Sequence, residues 1–422
     1  LVEKKNSPNP DMRVLFSNIS QLVRVASAGE KVKKGHQMQD VAVLENAWLS
    51  IQDGRIEATG QMPNIPEDRF DLEVNCSGKA VLPGYVDCHT HLVFPSARSG
   101  EFADRIKGLT YEEIAARGGG ILNSASKLAL LSEDELYTQA LERAFSVIAS
   151  GTTALEIKSG YGLTIETELR ILKVIARLKE TLPIQVRAAF LGAHAFPTQY
   201  KNNREGYILE ILNEMLPAVA AEGLAEYVDV FCDRGYFSTE DTARILDKAY
   251  SLGFKARLHA NELGFTGGVQ VGVKYNVLSV DHLEHCGTEE IALLKNSNTL
   301  PVALPGTSFF LGLPYTPVRE MIDEGLAVVL ASDFNPGSSP SGNMSFVQSL
   351  ACLRMKLLPE EALCAVTLNA AAALEWSDSM GSLETGKAAN LLISRPVKSF
   401  YEIPYYFGNS CIEQVWVNGR KQ

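Results

Sequence analysis

Val81-Leu-Pro-Gly-Tyr-Val-Asp-Cys-His-Thr-His91 is the stretch on which the reading of this chain turns. Tyr85-Val-Asp-Cys88 is a short apolar run, and the two histidines follow it with one residue between them. Side chains alternate faces along a strand, so His89 and His91 leave its end on the same side. Two neutral imidazoles presented in this way can share one divalent metal. Taken alone, the pair reads better as ordinary strand histidines with one face in solvent. Three further polar clusters downstream change that balance.

Working outward, the middle of the chain alternates strand and helix patterns. After Tyr85-Val-Asp-Cys88 come Thr152-Thr-Ala-Leu-Glu-Ile157, Gln185-Val-Arg-Ala-Ala-Phe190 and Tyr227-Val-Asp-Val-Phe231. Lys255-Ala-Arg-Leu-His259, Val277-Leu-Ser-Val280, Leu300-Pro-Val-Ala-Leu304 and Ala327-Val-Val-Leu-Ala331 complete the series. Amphipathic stretches lie between them; one spans about 164–178, with Glu166 and Glu168 near its positive end and Leu169, Leu172, Ile175 and Ala176 on one face. Eight such units predict an α/β protein built on a (β/α)8, TIM-like barrel. Pro301 is out of place in the seventh strand. Two alanine-rich helices, about 346–355 and 360–373, follow the eighth.

Both ends of the chain read as β-structure. Arg13-Val-Leu-Phe16, Val41-Ala-Val-Leu44, Ala47-Trp-Leu-Ser-Ile51 and Arg55-Ile-Glu-Ala58 precede the barrel, with Asp53-Gly54 as a hairpin turn. Asn390-Leu-Leu-Ile-Ser394 and Gln414-Val-Trp-Val417 follow it, with Asn418-Gly419 as another turn. Neither end is long enough for an independent domain. The expectation is a small β-sandwich domain assembled from 12–80 and 378–422, beside a barrel over 81–377. The polar opening from Leu1 to Pro10 is expected to add little to the fold, and Met12 reads as the original start.

Composition narrows the classes of function. A net charge of -11 argues against a nucleic-acid or acidic-membrane partner, and leaves an acidic substrate to be held by a few local cations. Seven cysteines form no C-x-x-C pair, and several sit in apolar strands, which fits reduced thiols in a cytoplasmic protein. No apolar run is long enough to span a bilayer and no signal-peptide pattern opens the chain.

In barrel enzymes the working residues sit at the carboxyl ends of strands. His89 and His91 follow strand one, His259 ends strand five, His282 follows strand six and Asp333 follows strand eight. Three imidazoles and a carboxylate suit Zn2+ or Fe2+. Glu262 lies three residues beyond His259, placed to move protons between nucleophile and leaving group. His282 has two readings, ligand of a second metal or polariser of a substrate oxygen. His285 competes for either role, and His282 is preferred because it lies nearer the strand end.

The set His-x-His, His259, His282 and Asp333 on strands one, five, six and eight resembles the amidohydrolase superfamily. Within it the chain resembles the imidazolonepropionase family of histidine degradation, over nearly its whole length. That resemblance rests on Asp87-Cys-His-Thr-His-Leu-Val93 with Arg98, Tyr111-Glu-Glu-Ile-Ala-Ala-Arg-Gly-Gly-Gly-Ile121, Lys158-Ser-Gly-Tyr-Gly-Leu163, Gly192-Ala-His194 and Ser332-Asp-Phe-Asn-Pro-Gly337. It implies a hydrolase that opens the ring amide of 4-imidazolone-5-propanoate to N-formimidoyl-L-glutamate. One metal, Zn2+ or Fe2+ with Fe3+ as a further option, would be bound by His89, His91, His259 and Asp333. Glu262, His282 and Asp333 would be catalytic. Arg98 and Tyr161 would grip the substrate carboxylate, with His194 as a further donor and Glu262 also touching substrate. Asn335, Gly337 and Ser338 would line the product side. A homodimer is the expected assembly.

Two positions depart from the family pattern. Phe94-Pro-Ser-Ala-Arg98 has no glycine before the arginine, and Asn261 stands where an acid is expected. Arg98 and Tyr161 also have plain readings as a surface arginine and a packing residue, and Gly118-Gly-Gly120 as a linker. Strand four offers no lysine to bridge two metals, so one is expected. The nearest rival is a metal-dependent deaminase of a nucleobase-like ring, for which the carboxylate-binding set would be superfluous. A barrel that has lost its activity is the remaining reading, disfavoured because every proposed ligand is present.

Overall fold

The structure is a computed structural model that describes residues 12–27, 29–109, 113 and 119–422. Eight parallel strands form the barrel: Tyr85–Asp87, Thr152–Lys158, Gln185–Ala193, Tyr227–Cys232, Lys255–Ala260, Ser279–His282, Leu300–Ala303 and Val329–Leu330. They are called barrel strands one to eight below. Each neighbour pair is parallel. Strands one and eight meet just beyond their ends, where the Asp333 N–H donates to the His89 carbonyl (3.0 Å) and the His91 N–H to the Phe334 carbonyl (2.9 Å). The bonds that close the barrel are therefore made by the segments carrying three of the proposed ligands.

Pro301 is tolerated in strand seven for a positional reason. The Leu300 N–H donates to the carbonyl of Leu278, just before strand six (3.0 Å), so the next nitrogen along faces strand eight. Pairing on that side begins only at Val302 with Val329, and the missing N–H costs no ladder bond.

The helix between strands two and three runs Ile165–Thr181, with Thr164 as N-cap accepting the Thr167 N–H. Its buried face is Glu168, Ile171, Leu172, Val174, Ile175 and Leu178, whereas Leu169 and Ala176 are only half-buried. Each fully buried aliphatic side chain of that face contributes about 1.5–3 kcal/mol. The face is turned relative to the predicted one because Glu168 points inward. It is anchored to the loop after strand two, as shown below.

The expected β-rich domain takes the form of one eight-stranded mixed sheet drawn from both ends of the chain. Its order is Arg420–Lys421, Ile412–Val417, Leu391–Pro396, Lys79–Pro83, Val14–Val23, Val43–Gln52 and Arg55–Gln61, with Leu72–Asn75 parallel to Val14–Val23. The seam between the ends is the antiparallel pairing of Lys79–Pro83 with Leu391–Pro396. Both predicted turns have left-handed residues, Asp53 and Gly54 (φ 53° and 74°) and Asn418 and Gly419 (φ 47° and 70°). The second alanine-rich helix is broken in two, Pro359–Ala365 and Leu368–Ala373. Among the described residues no helix is long and apolar enough to cross a membrane.

Candidate active site

Barrel closure brings four donor atoms together from the ends of three strands, one, five and eight. His89 Nε2 lies 3.5 Å from Asp333 Oδ1, His91 Nε2 3.4 Å from the same oxygen, and His259 Nε2 3.4 Å from His91 Nε2. Ligands at zinc distances in a tetrahedron stand about 3.3–3.4 Å apart, and these three separations are close to that; His89, His91 and Asp333 offer atoms within 4.8 Å of one another, as do His89, His259 and His282. His89 Nε2 is buried with no hydrogen-bond partner, as expected of a nitrogen whose lone pair is meant for a cation. Burial, reinforced by neighbouring positive groups, holds both His89 and His91 well below the usual imidazole range, so they are neutral. The donor set fits a divalent metal.

Three of the four donors are aimed from behind, whereas His91 Nδ1 is buried without a partner. His89 Nδ1 meets Asp281 Oδ2 at 2.7 Å, and His259 Nδ1 meets Asp229 Oδ1 at 3.1 Å, which leaves both Nε2 atoms facing the centre. The Thr307 hydroxyl donates to Asp333 Oδ2 at 2.6 Å, leaving Oδ1 for the ion. Asp333 itself has φ 51°, and His282 and Leu283 have φ 84° and 65°. Non-glycine residues held there cost on the order of 1–3 kcal/mol each, and such positions concentrate at functional sites.

His282 ends strand six, and its ring lies 5.2 Å from that of His259. It offers an atom within 4.8 Å of those of His89 and His259. Its Nε2 is 3.7 Å from Glu262 Oε2, and its Nδ1 is 3.5 Å from Glu284 Oε2. Burial alone would lower its pKa, yet Glu262 and Glu284 hold it well above the imidazole range. Burial pushes Glu262 up to about 8, with the charge of His282 offsetting part of the rise. His285 takes no part: its Nδ1 donates to the Glu262 carbonyl (3.0 Å) and fixes that loop. Asn261, where an acid was expected, sits at φ 57° and donates to the His285 carbonyl (2.9 Å), a left-handed role that asparagine fills well.

A cavity of about 330 Å³ opens onto this cluster. Of the predicted site residues, His91, His259, Asp333, Glu262, His282, Arg98, Tyr161, His194, Asn335, Gly337 and Ser338 line it, and His89 lies behind them. Arg98 reaches the cavity without a glycine-rich turn. Its Nε donates to Ser124 Oγ (2.9 Å), its Cζ lies 5.6 Å from the Tyr161 ring centre, and Nη2 is buried without a partner. A Cβ on Gly337 would collide with its guanidinium, so that glycine makes the seat for the arginine. Arg105 lines the same cavity and donates to the Gly337 carbonyl at 3.4 Å.

The Lys158–Leu163 loop owes its shape to Glu168, whose two oxygens accept the N–H groups of Gly160 (3.0 Å), Gly162 (2.7 Å) and Leu163 (2.8 Å). That clamp places Tyr161 beside His194, ring centres 5.4 Å apart. His194 donates Nδ1–H to the Gly160 carbonyl at 2.8 Å, and burial brings its pKa down to about 3. Its Nε2 is therefore an acceptor, not the donor expected from sequence. The Asn335 side chain is fully used within its own loop. It donates to Asp333 O and Ser338 Oγ (both 2.7 Å) and accepts from the Gly337 and Ser338 amides (both 2.8 Å). Most of the Tyr111–Ile121 motif lies outside the described residues. Gly120 and Ile121 line the cavity, and the Gly120 N–H is held by Glu101 (3.1 Å).

Sequence reasoning missed Asp229, Asp281, Thr307, Glu168 and Glu284. A charged residue inside an apolar strand was the available signal for the first two.

The model of the amidohydrolase family matches residues 80–421. The imidazolonepropionase of Flavobacterium johnsoniae is 52% identical, covering 97% of this chain and 100% of its own length. That of Alkaliphilus oremlandii is 41% identical, covering 96% and 97%. Among solved structures, an adenosine deaminase from Xanthomonas campestris with bound zinc superposes with a TM-score of 0.71 at 16% identity, over 97% of this chain and 92% of that one. The zinc complex of atrazine chlorohydrolase from Arthrobacter aurescens gives 0.71 at 17%, over 97% and 94%. These two likenesses establish the fold alone. The chain belongs to the amidohydrolase family and, within it, to the imidazolonepropionase family.

Proposed function

We infer that this protein hydrolyses the ring amide of 4-imidazolone-5-propanoate, giving N-formimidoyl-L-glutamate, with one Zn2+ or iron ion held by His89, His91, His259 and Asp333. The observation that carries this reading is the set of donor separations of 3.4–3.5 Å beside a cavity bearing Arg98. The identity to imidazolonepropionases supports the choice of substrate. A divalent ion held there would supply Lewis acidity at the carbonyl, would bring the pKa of a water molecule down toward neutrality, and would counter with its charge the burial that raises Glu262.

The protein's own groups do the rest. Glu262 takes the proton given up by the attacking water and returns it to the ring nitrogen as the C–N bond breaks. His282, kept protonated between Glu262 and Glu284, donates to the oxygen that gains charge at the carbonyl. Asp333 keeps Oδ1 toward the ion because Thr307 holds Oδ2. Arg98 grips the propanoate through its Nη atoms, its Nε being fixed by Ser124, with Tyr161 alongside. His194 accepts from a ring N–H of the substrate. Gly337 and Ser338 border the product side on the loop that Asn335 braces. The division into 12–80 with 378–422, and 81–377, assigns all of this chemistry to the barrel.

Following loss of the imidazolone chromophore with purified protein tests the assignment. Ring opening that depends on bound metal is expected. Faster ammonia release from a purine or pyrimidine would overturn it.

A further inference from the structure

On the barrel axis, outside the substrate cavity, five charged side chains take no part in the reaction described above. Glu156, Lys158, Asp229, Arg257 and Asp281 come from strands two, four, five and six and are completely buried. Lys158 Nζ donates to Glu156 Oε1 and to Asp229 Oδ2, both at 2.7 Å, and stands 3.9 Å from Asp281 Oδ2. Asp229 uses its other oxygen for His259, accepting both the Nδ1–H and the backbone N–H at 3.1 Å. Asp281 Oδ2 serves His89 and is also met by Arg257 Nη2 at 3.2 Å, while Ser279 donates to Oδ1 at 2.5 Å.

Taking an anion out of water costs several kcal/mol unless a cation and hydrogen bonds replace the lost hydration. Asp281 has Arg257 for that purpose, and Asp229 has Lys158. The lysine also decides direction. With Oδ2 occupied by the ammonium, Asp229 has only Oδ1 to offer, and the carboxylate plane is set. The imidazole of His259 is thereby set as well, with Nε2 facing the cluster.

We propose that Lys158 is a positioning residue for the metal centre: it holds Asp229 so that His259, and with it the ligand set, is aimed before any ion arrives. The proposal rests on the reading of His259 as a ligand. The Lys158 backbone N–H separately donates to the Thr90 carbonyl at 2.9 Å, between His89 and His91, and a side-chain substitution leaves that bond in place.

A double-mutant cycle on zinc affinity tests it. Metal-free wild type, Lys158→Met, Asp229→Asn and the double variant are titrated with Zn2+ against a chromophoric chelator, and circular dichroism reports folding. Lys158→Met is expected to weaken zinc about tenfold or more, as loss of a group behind a ligand does. Adding it to Asp229→Asn is expected to cost nothing further, because the lysine acts through that carboxylate. Wild-type zinc affinity in a folded Lys158→Met protein, or additive losses in the double variant, overturns the proposal alone. Failure of the wild type to hold zinc overturns the ligand assignment and the proposal with it. Should the methionine variant not fold, Lys158→Leu, which likewise removes both the donor and the charge, is read in the same way.

Discussion

Asp333 and Gly337 stand four residues apart on one loop and support different halves of the reaction. Asp333 closes the ligand set, and its neighbour on the barrel seam is the His89 carbonyl. Asp333→Ala is expected to abolish turnover and to lower the metal bound per chain, both measured on protein purified without added metal. Retained metal with unchanged activity would refute the assigned site. Gly337→Ala should act on substrate alone. The added methyl displaces the Arg98 guanidinium, and losing a charged hydrogen-bonded grip on the carboxylate costs about 1.5–3 kcal/mol, or roughly ten- to hundredfold in kcat/KM. Metal content should stay at the wild-type level. At this scale the candidate ligands were legible because histidine and aspartate at the ends of apolar strands have little structural reason to be there. The partners behind them were not. Asp281 is in register with His259 yet bonds His89 across the barrel, and Asp229 is in register with Arg257 yet bonds His259 and Lys158. Register is a property of neighbours, whereas the Asp281–His89 and Asp229–Lys158 bonds join strands that are not adjacent, and the Asp229–His259 bond is offset from the register by two residues.

Among the elements, the helix Ile165–Thr181 shows how a local pattern and a tertiary demand differ. Its start followed from the sequence pattern, but it runs three residues past the predicted end, and its rotation is set by Glu168 reaching the loop after strand two. Glu168→Gln puts an amide NH2 among three backbone donors, so at least one N–H loses its acceptor whichever way the amide turns. The expected cost is about 1–3 kcal/mol in thermal or denaturant unfolding. KM should rise as Tyr161 loses its support, while metal binding is preserved. An unchanged KM would remove Tyr161 from the substrate-binding set. Strand limits behaved similarly. Strand six begins two residues later than predicted, so that His282 is its last residue, and the backbone enters the left-handed region at His282 itself and stays there at Leu283.

For the molecule as a whole, the proposed metal centre would tie strands one, five and eight together. Its occupancy is expected to stabilise the folded barrel by mass action, about 4 kcal/mol at a thousandfold excess over Kd. Stripping the metal with a chelator should abolish activity and lower the unfolding midpoint, and adding Zn2+ or Fe2+ should restore both. A midpoint indifferent to chelation would show that the ion lies elsewhere. Residue types, their order and the alternation of strand and helix sufficed to determine the barrel and the sheet shared by the two ends, because both depend on side-chain period and on short-range backbone preference; they also nominated the donors proposed for the metal. The donor spacing of 3.4–3.5 Å, the acceptor state of His194, the seating of Arg98 over Gly337 and the buried charges around Lys158 were decided only when the barrel closed. Those features are distances between residues far apart in the chain, and it is the tilt and closure of eight strands, not any local pattern, that sets them.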